Sequence, residues 1–211
     1  LNVTARQELM RTIVETLGVV VEEARLDFGE DGLSVRVVDP SHVAMIKMDV
    51  DSAAFETWEV DETKLGLEMR KMHQFLSVAG AGDMVELAYN DETGQATIHI
   101  GRIDLNLRPL DNSTLNPPNV PSLELPCGVT IGGSELAQAL RAAKLVGDLV
   151  NLSLTEDTFT VNVKGSTDSV NLDFSKDDLH AIDCKEAARS QYSLTYLTPL
   201  AKIFQSIENV N

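Results

Sequence analysis

Apolar positions recur along this chain in two rhythms, and each rhythm predicts a kind of element. Across residues 4–17 they fall at Leu9, Ile13 and Leu17 and again at Met10 and Val14, the spacing of one helical face. Thr4 is the expected cap of that helix and Gly18 its stop. A period of two takes over at residues 25–28 and 33–38, which flank the turn Gly29-Glu30-Asp31-Gly32 and predict a hairpin. Residues 42–49 and 57–60 read as short strands. Residues 64–79 predict a second helix with Leu65, Met69, Met72 and Leu76 on one face. A second hairpin, 84–89 with 96–100, turns at residues 90–94, and 103–108 form a last strand.

The succession then returns. A strand at 129–131 precedes a helix over 134–146 capped by Ser134. At a separation of 126 residues, Leu26, Phe28, Glu30, Asp31, Leu33, Val35 and Val37 fall on Leu152, Leu154, Glu156, Asp157, Phe159, Val161 and Val163. A strand at 170–174 and a helix over 194–207 complete the copy. We read this as an internal duplication. Residues 109–126 join the copies and hold five of the seven prolines, which fix φ and remove donors, so they predict an extended, semi-rigid connector. The expected organisation is two α+β domains, 1–108 and 127–211. Matching the copies leaves the first without its opening strand and the second without its last strands.

Charge changes this picture more than composition does. The formal net charge is −16, yet the four predicted helices carry eight of the 17 Lys and Arg and only four of the 33 Asp and Glu. The helices are therefore net +4 and the remainder −20. Such a partition suits a protein that holds a polyanion against one surface and repels it elsewhere. Signatures of chemistry are thin. His42, His73, His99 and His180 have no metal-ligand spacing, and Ser41-His42 are neighbours on an expected strand, so their side chains diverge. Gly80-Ala81-Gly82-Asp83 follows a helix instead of opening one, unlike a phosphate loop. Asp27, Asp31 and Asp39 read as solvated carboxylates. Cys127 and Cys184 are too few and too far apart to suggest a disulfide framework or zinc site, and read as incidental thiols of a cytosolic protein. No apolar run approaches the ~20 residues that span a bilayer. These readings point to no catalytic residue, no metal and no cofactor.

From Val38-Asp39-Pro40-Ser41-His42-Val43 the chain resembles the sliding clamps of archaea and eukaryotes, the proliferating cell nuclear antigen family. The likeness continues through Glu22-Glu23-Ala24, Glu30-Asp31-Gly32-Leu33, Ala54-Phe55-Glu56, Ala79-Gly80 with Asp83, the Pro-rich connector, Gly147-Asp148 and Tyr196-Leu197. The resemblance implies two clamp-type domains per subunit and three subunits in a six-domain ring, with helices lining a hole for duplex DNA. It implies a processivity factor that tethers DNA polymerase, flap nuclease and ligase through a short peptide motif and is opened by an ATP-driven clamp loader. A heterotrimeric ring is the alternative within the family. An enzyme using the groove between domains is the rival from outside it. The implied place of work is the nucleoid in an archaeon or the nucleus in a eukaryote.

The resemblance also assigns residues. Arg11, Arg141 and Lys202 stand where the family has basic hole-lining side chains, with Arg70, Lys71, His73 and Lys144 near such positions. Gln74, Ser77 and Gly18 replace lysines of some relatives. The implied peptide pocket takes Val38, His42, Val43 and Met45 from the first domain and Pro118, Val120 and Pro121 from the connector. The implied subunit interface pairs Ile103, Leu105 and Leu107 with Val170, Leu172 and Phe174.

Overall fold

The computed structural model describes residues 1–211 as two units, Leu1–Pro121 and Ser122–Asn211. Unit 1 begins with β1 (Asn2–Arg6) and α1 (Gln7–Gly18), then β2 (Glu23–Phe28), β3 (Gly32–Val38), β4 (Met45–Asp51) and β5 (Thr57–Glu59). It continues through β6 (Thr63–Glu68), α2 (Met69–Leu76), β7 (Met84–Asn90), β8 (Gln95–Ile100) and β9 (Ile103–Leu107). One sheet has the order β5-β1-β7-β8-β9 and the other β4-β3-β2-β6. The helices pack together, and their buried faces, Met10, Ile13, Val14 and Leu17 with Met69, Met72 and Leu76, join one core with both sheets.

Unit 2 runs β10 (Cys127–Thr130), α3 (Gly133–Lys144), β11 (Leu149–Leu154), β12 (Thr158–Lys164), β13 (Ser169–Ser175), β14 (Ala181–Cys184), β15 (Ala188–Ser193) and α4 (Leu194–Phe204). Its larger sheet is β13-β12-β11-β15, and β10 pairs with β14 alone. The duplication survives in the fold. Helix α1 and strands β2 and β3 recur in α3, β11 and β12 at the same separation of 126 residues. Alternation does the rest: Leu33, Val35 and Val37 are buried on β3, and Phe159, Val161 and Val163 on β12.

Several expectations are corrected. The opening strand is present as β1, so residues 4–6 are extended and Thr4 caps nothing. Residues 63–68 form a strand paired with β2, and the second helix is only eight residues long. Gly132, not Ser134, occupies the N-cap of α3. His42 lies in a loop, not a strand, with φ of 56°. Asp39, expected in water, is 3% exposed, and its carboxylate accepts from the amides of Ser41, Val43 and Ala44 at 2.6–2.9 Å. The loop between β3 and β4 is thus wound around one carboxylate.

The connector divides between the units. Leu110 forms a bridge to Gly66 of β6, its amide donating to the Gly66 carbonyl at 2.8 Å. Residues Asn112–Thr114 make a 3-10 turn, and the Asn112 side chain donates to the Lys64 carbonyl. Gly66 permits this approach: a Cβ there would lie 2.7 Å from Leu115 Cδ1 and 3.0 Å from Leu110.

Candidate nucleic-acid, partner and subunit surfaces

Helix amphipathicity puts the cations outward. In unit 1 the apolar positions of α1 and α2 are spent on the core, which leaves Arg11, Arg70, Lys71 and His73 exposed. The two helices are joined at this surface through Glu15. Its carboxylate accepts from Arg11 Nε at 2.7 Å and lies 3.1 Å from His73 Nε2. Partial burial pushes the Glu15 carboxyl up, but the hydrogen bonds from Arg11 and His73 outweigh it and hold it below its ordinary range. Arg70 stands 3.7 Å from Glu68, and Lys71 Nζ lies over the Phe75 ring at 5.9 Å.

In unit 2, Arg141 and Lys144 occupy the last turn of α3 and Lys202 that of α4, where the helix dipole favours a cation. Arg141 donates to Gln205 at 3.2 Å and Lys144 pairs with Asp148, whose carboxyl is held below its usual range by that bond. Lys202 makes no ion pair. The sequence placed the cations but missed Glu15 and Asp148, the carboxylates that neutralise part of their field. An acidic residue four positions after a basic one, as in Arg11–Glu15 and Lys144–Asp148, was the available signal.

Connector and sheet frame a groove of about 140 Å³ in unit 1. Val38 and Pro118 line it, together with Arg25, Arg36, Leu115 and Pro117. Of the other expected pocket residues, His42, Val43, Met45, Val120 and Pro121 do not line this groove and are exposed, Val43 at 67%. Arg25 was missed; it is fixed by Asp27 at 2.7 and 2.9 Å, which aligns its guanidinium along β2.

The expected interface strands are both sheet edges. β9 pairs only with β8, and β13 only with β12. Ile103 is 49% exposed, while Leu105, Leu107, Leu172 and Phe174 are half-buried against the cores of their own units, and Val170 is half-buried. Both strands therefore offer an open ladder of backbone donors and acceptors.

Residues 4–104 match the family model of the proliferating cell nuclear antigen N-terminal domain. The DNA polymerase sliding clamp of Methanosarcina barkeri is 35% identical over 96% of this chain and 83% of the relative. The chain belongs to the DNA polymerase sliding clamp family. The sliding clamp of Halobacterium salinarum strain R1 is 31% identical, again over 96% of this chain and 83% of the relative. Among solved structures, A. fulgidus PCNA bound to the C-terminal region of FEN-1 superposes with a TM-score of 0.91 at 30% identity, covering 96% of this chain and 82% of that one. PCNA of Thermococcus kodakaraensis, at 20% identity and a TM-score of 0.88, shares the fold, with 98% and 86% covered. The function is that of a DNA polymerase sliding clamp, and the two-unit α+β architecture is the clamp fold. No helix of the clamp is long and apolar enough to cross a membrane.

Proposed function

We propose that three copies of this chain close head to tail around duplex DNA and tether replication and repair enzymes to it. The observation that carries the reading is that the two strands matched to the family's subunit contacts, β9 in the first unit and β13 in the second, both lie at open sheet edges. Pairing β9 of one copy with β13 of the next is a heterologous contact, which closes into a ring when the rotation allows. It also removes two edges that otherwise invite aggregation.

The helix cations Arg11, Arg70, Lys71, Arg141, Lys144 and Lys202, with His73, face the duplex and contact phosphates without reading sequence. The acidic remainder keeps DNA off the outer surface. The clamp carries out no reaction and needs no cofactor; a separate ATP-driven loader opens it. The connector groove and the exposed apolar side chains Val43, Met45 and Val120 receive a short peptide from DNA polymerase, clamp loader, flap nuclease or ligase. The FEN-1 segment bound to A. fulgidus PCNA supports that choice of ligand. The archaeal relatives support a place in the cytoplasm beside the nucleoid.

Sedimentation tests the ring. Wild type is expected at three times its 23.0 kDa chain mass, and Leu105→Pro and Leu172→Pro, which each remove a ladder donor, at the mass of one chain. Wild type should stay on closed circular DNA and run off once the circle is cut. Proline variants that still sediment with wild type remove these two edges from the interface.

A further inference from the structure

Cys127 and Cys184, 57 residues apart in sequence, stand directly opposite one another where β10 meets β14. The Lys185 amide donates to the Pro126 carbonyl beside them at 3.2 Å, which makes this a non-hydrogen-bonded pair of the antiparallel ladder. Such pairs bring Cα atoms to about 4.5 Å, inside the window of about 4.4–6.8 Å that a disulfide spans. The sulfurs are 2.8 Å apart, and both thiols also lie against the Glu186 carbonyl, at 2.9 and 3.3 Å. Both cysteines are free and partly exposed.

We propose that Cys127 and Cys184 form a thiol–disulfide exchange site, which low-molecular-weight disulfides convert into a bond stapling the start of unit 2 to β14. A Cys127 thiolate attacks one sulfur of the reagent and expels the other as a thiolate. Cys184 then gives up its proton and attacks the Cys127 sulfur of the mixed disulfide, releasing the second reagent thiol. Two protein thiols lose two electrons and two protons, and the reagent disulfide gains them. The order follows from the pair itself: the hydrogen bond with Cys127, helped by burial, pushes the Cys184 thiol up to about 11, so Cys184 keeps its proton longer. Closing the bond asks the sulfurs to approach by less than about 1 Å.

The staple belongs to unit 2 alone, because these are the chain's only two cysteines. It reinforces a ladder of just four residue pairs. The test incubates the whole chain with oxidised glutathione, blocks remaining thiols by alkylation and maps the peptides. The expected product is a single chain two hydrogens lighter, carrying a Cys127–Cys184 cross-link that a dithiol reverses. Its unit 2 should unfold at higher denaturant, with the Trp58 fluorescence transition of unit 1 unmoved. Cys127→Ser and Cys184→Ser should each keep a stable glutathione adduct on the remaining thiol. Wild type that retains adducts on both cysteines, or that cross-links only between chains, overturns the proposal.

Discussion

Leu26 and Phe28 of unit 1 are 5% and 2% exposed, whereas Leu152 and Leu154, at the same places in the repeat, are only half-buried. The strands themselves are copies, so the difference lies in what covers them. In unit 1, β1 pairs with β5 on one side and β7 on the other, within a five-stranded sheet. In unit 2, β10 has β14 on one side, and beyond its end a single bridge joins Ile131 to Val210. A cavity of about 500 Å³ opens there, lined by Val129, Leu152, Leu154 and Phe159 among others. Sequence periodicity fixes the element and its inward face; the second layer determines how much apolar area leaves water.

The helix pairs differ as well. The buried Gln7 at the start of α1 donates its side-chain amide to the Leu76 carbonyl at the end of α2. Its counterpart in α3 is Gly133, whose own amide donates to Ile207 at 3.0 Å, and a Cβ there would collide with the carbonyl oxygens of Phe204 and Ile207. One unit bridges its helix ends with a side chain; the other brings backbones together.

The largest expected effect breaks this second contrast. Gly133→Ala must push α4 away and should cost unit 2 about 3 kcal/mol or more. Gln7→Ala should cost unit 1 less, about 0.5–1.5 kcal/mol, because the Leu76 carbonyl keeps the Ala79 amide at 3.3 Å. Urea titrations followed by circular dichroism, with Trp58 fluorescence reporting unit 1, separate the two. Equal costs would mean that the helix ends are not closed by different means.

The next effect sharpens the contrast in cores. Leu26→Ala should destabilise unit 1 by about 3 kcal/mol, and Leu152→Ala unit 2 by about 1–2 kcal/mol, since less area is buried and the site already borders a cavity. The same titrations read both. A Leu152→Ala cost as large as that of Leu26→Ala would show that the cavity closes in solution.

The smallest effect lies at the open edges. On β8 and β9, His99 Nδ1 is 2.5 Å from Asp104, and the hydrogen bond to that carboxylate raises the His99 pKa above its ordinary 6.5. The pair therefore contributes fully below pH 6.5, and its contribution is lost as pH rises through the raised folded value. The equivalent cross-strand contacts of β12 and β13 are neutral donors on acceptors, Thr160 to Asp173 and Asn162 to Asn171. Amide-exchange protection of β9, corrected for intrinsic rates, should fall as pH rises above 6.5 while that of β13 stays level. His99→Gln should flatten the β9 profile; a slope that survives the substitution assigns it to another group.

Much of this fold was legible in sequence because both copies say the same thing. The exceptions share a cause. Residues 63–68 satisfy two periods at once, since Leu65 and Leu67 alternate as in a strand while Leu65, Met69, Met72 and Leu76 trace a helical face. Pairing with β2 and the approach of Leu110 at Gly66 decide for the strand. β14 and β15 were missed; β15 exposes four of its six side chains and shows little alternation. Among candidate surface residues, the cations could be placed from helical spacing. The contact of Glu15 with His73 across the helix pair, the wrapping of a loop around Asp39, and the meeting of Cys127 with Cys184 are long-range or backbone facts that no local pattern carries.

The loop around Asp39 has an evolutionary consequence. Between β3 and β4 it holds six residues, whereas the matching turn between β12 and β13 holds four, closed by the Gly165 amide on the Asp168 carbonyl. Since the two copies arose from one unit, they differ here by an insertion or deletion, not merely by substitution. Point changes in the short turn cannot reproduce a lobe that lifts Val43 into water, because there is no backbone to build it from. The asymmetry between the halves is thus protected against mutational drift: a partner that grips the lobe is directed to one half of a duplicated chain by length alone.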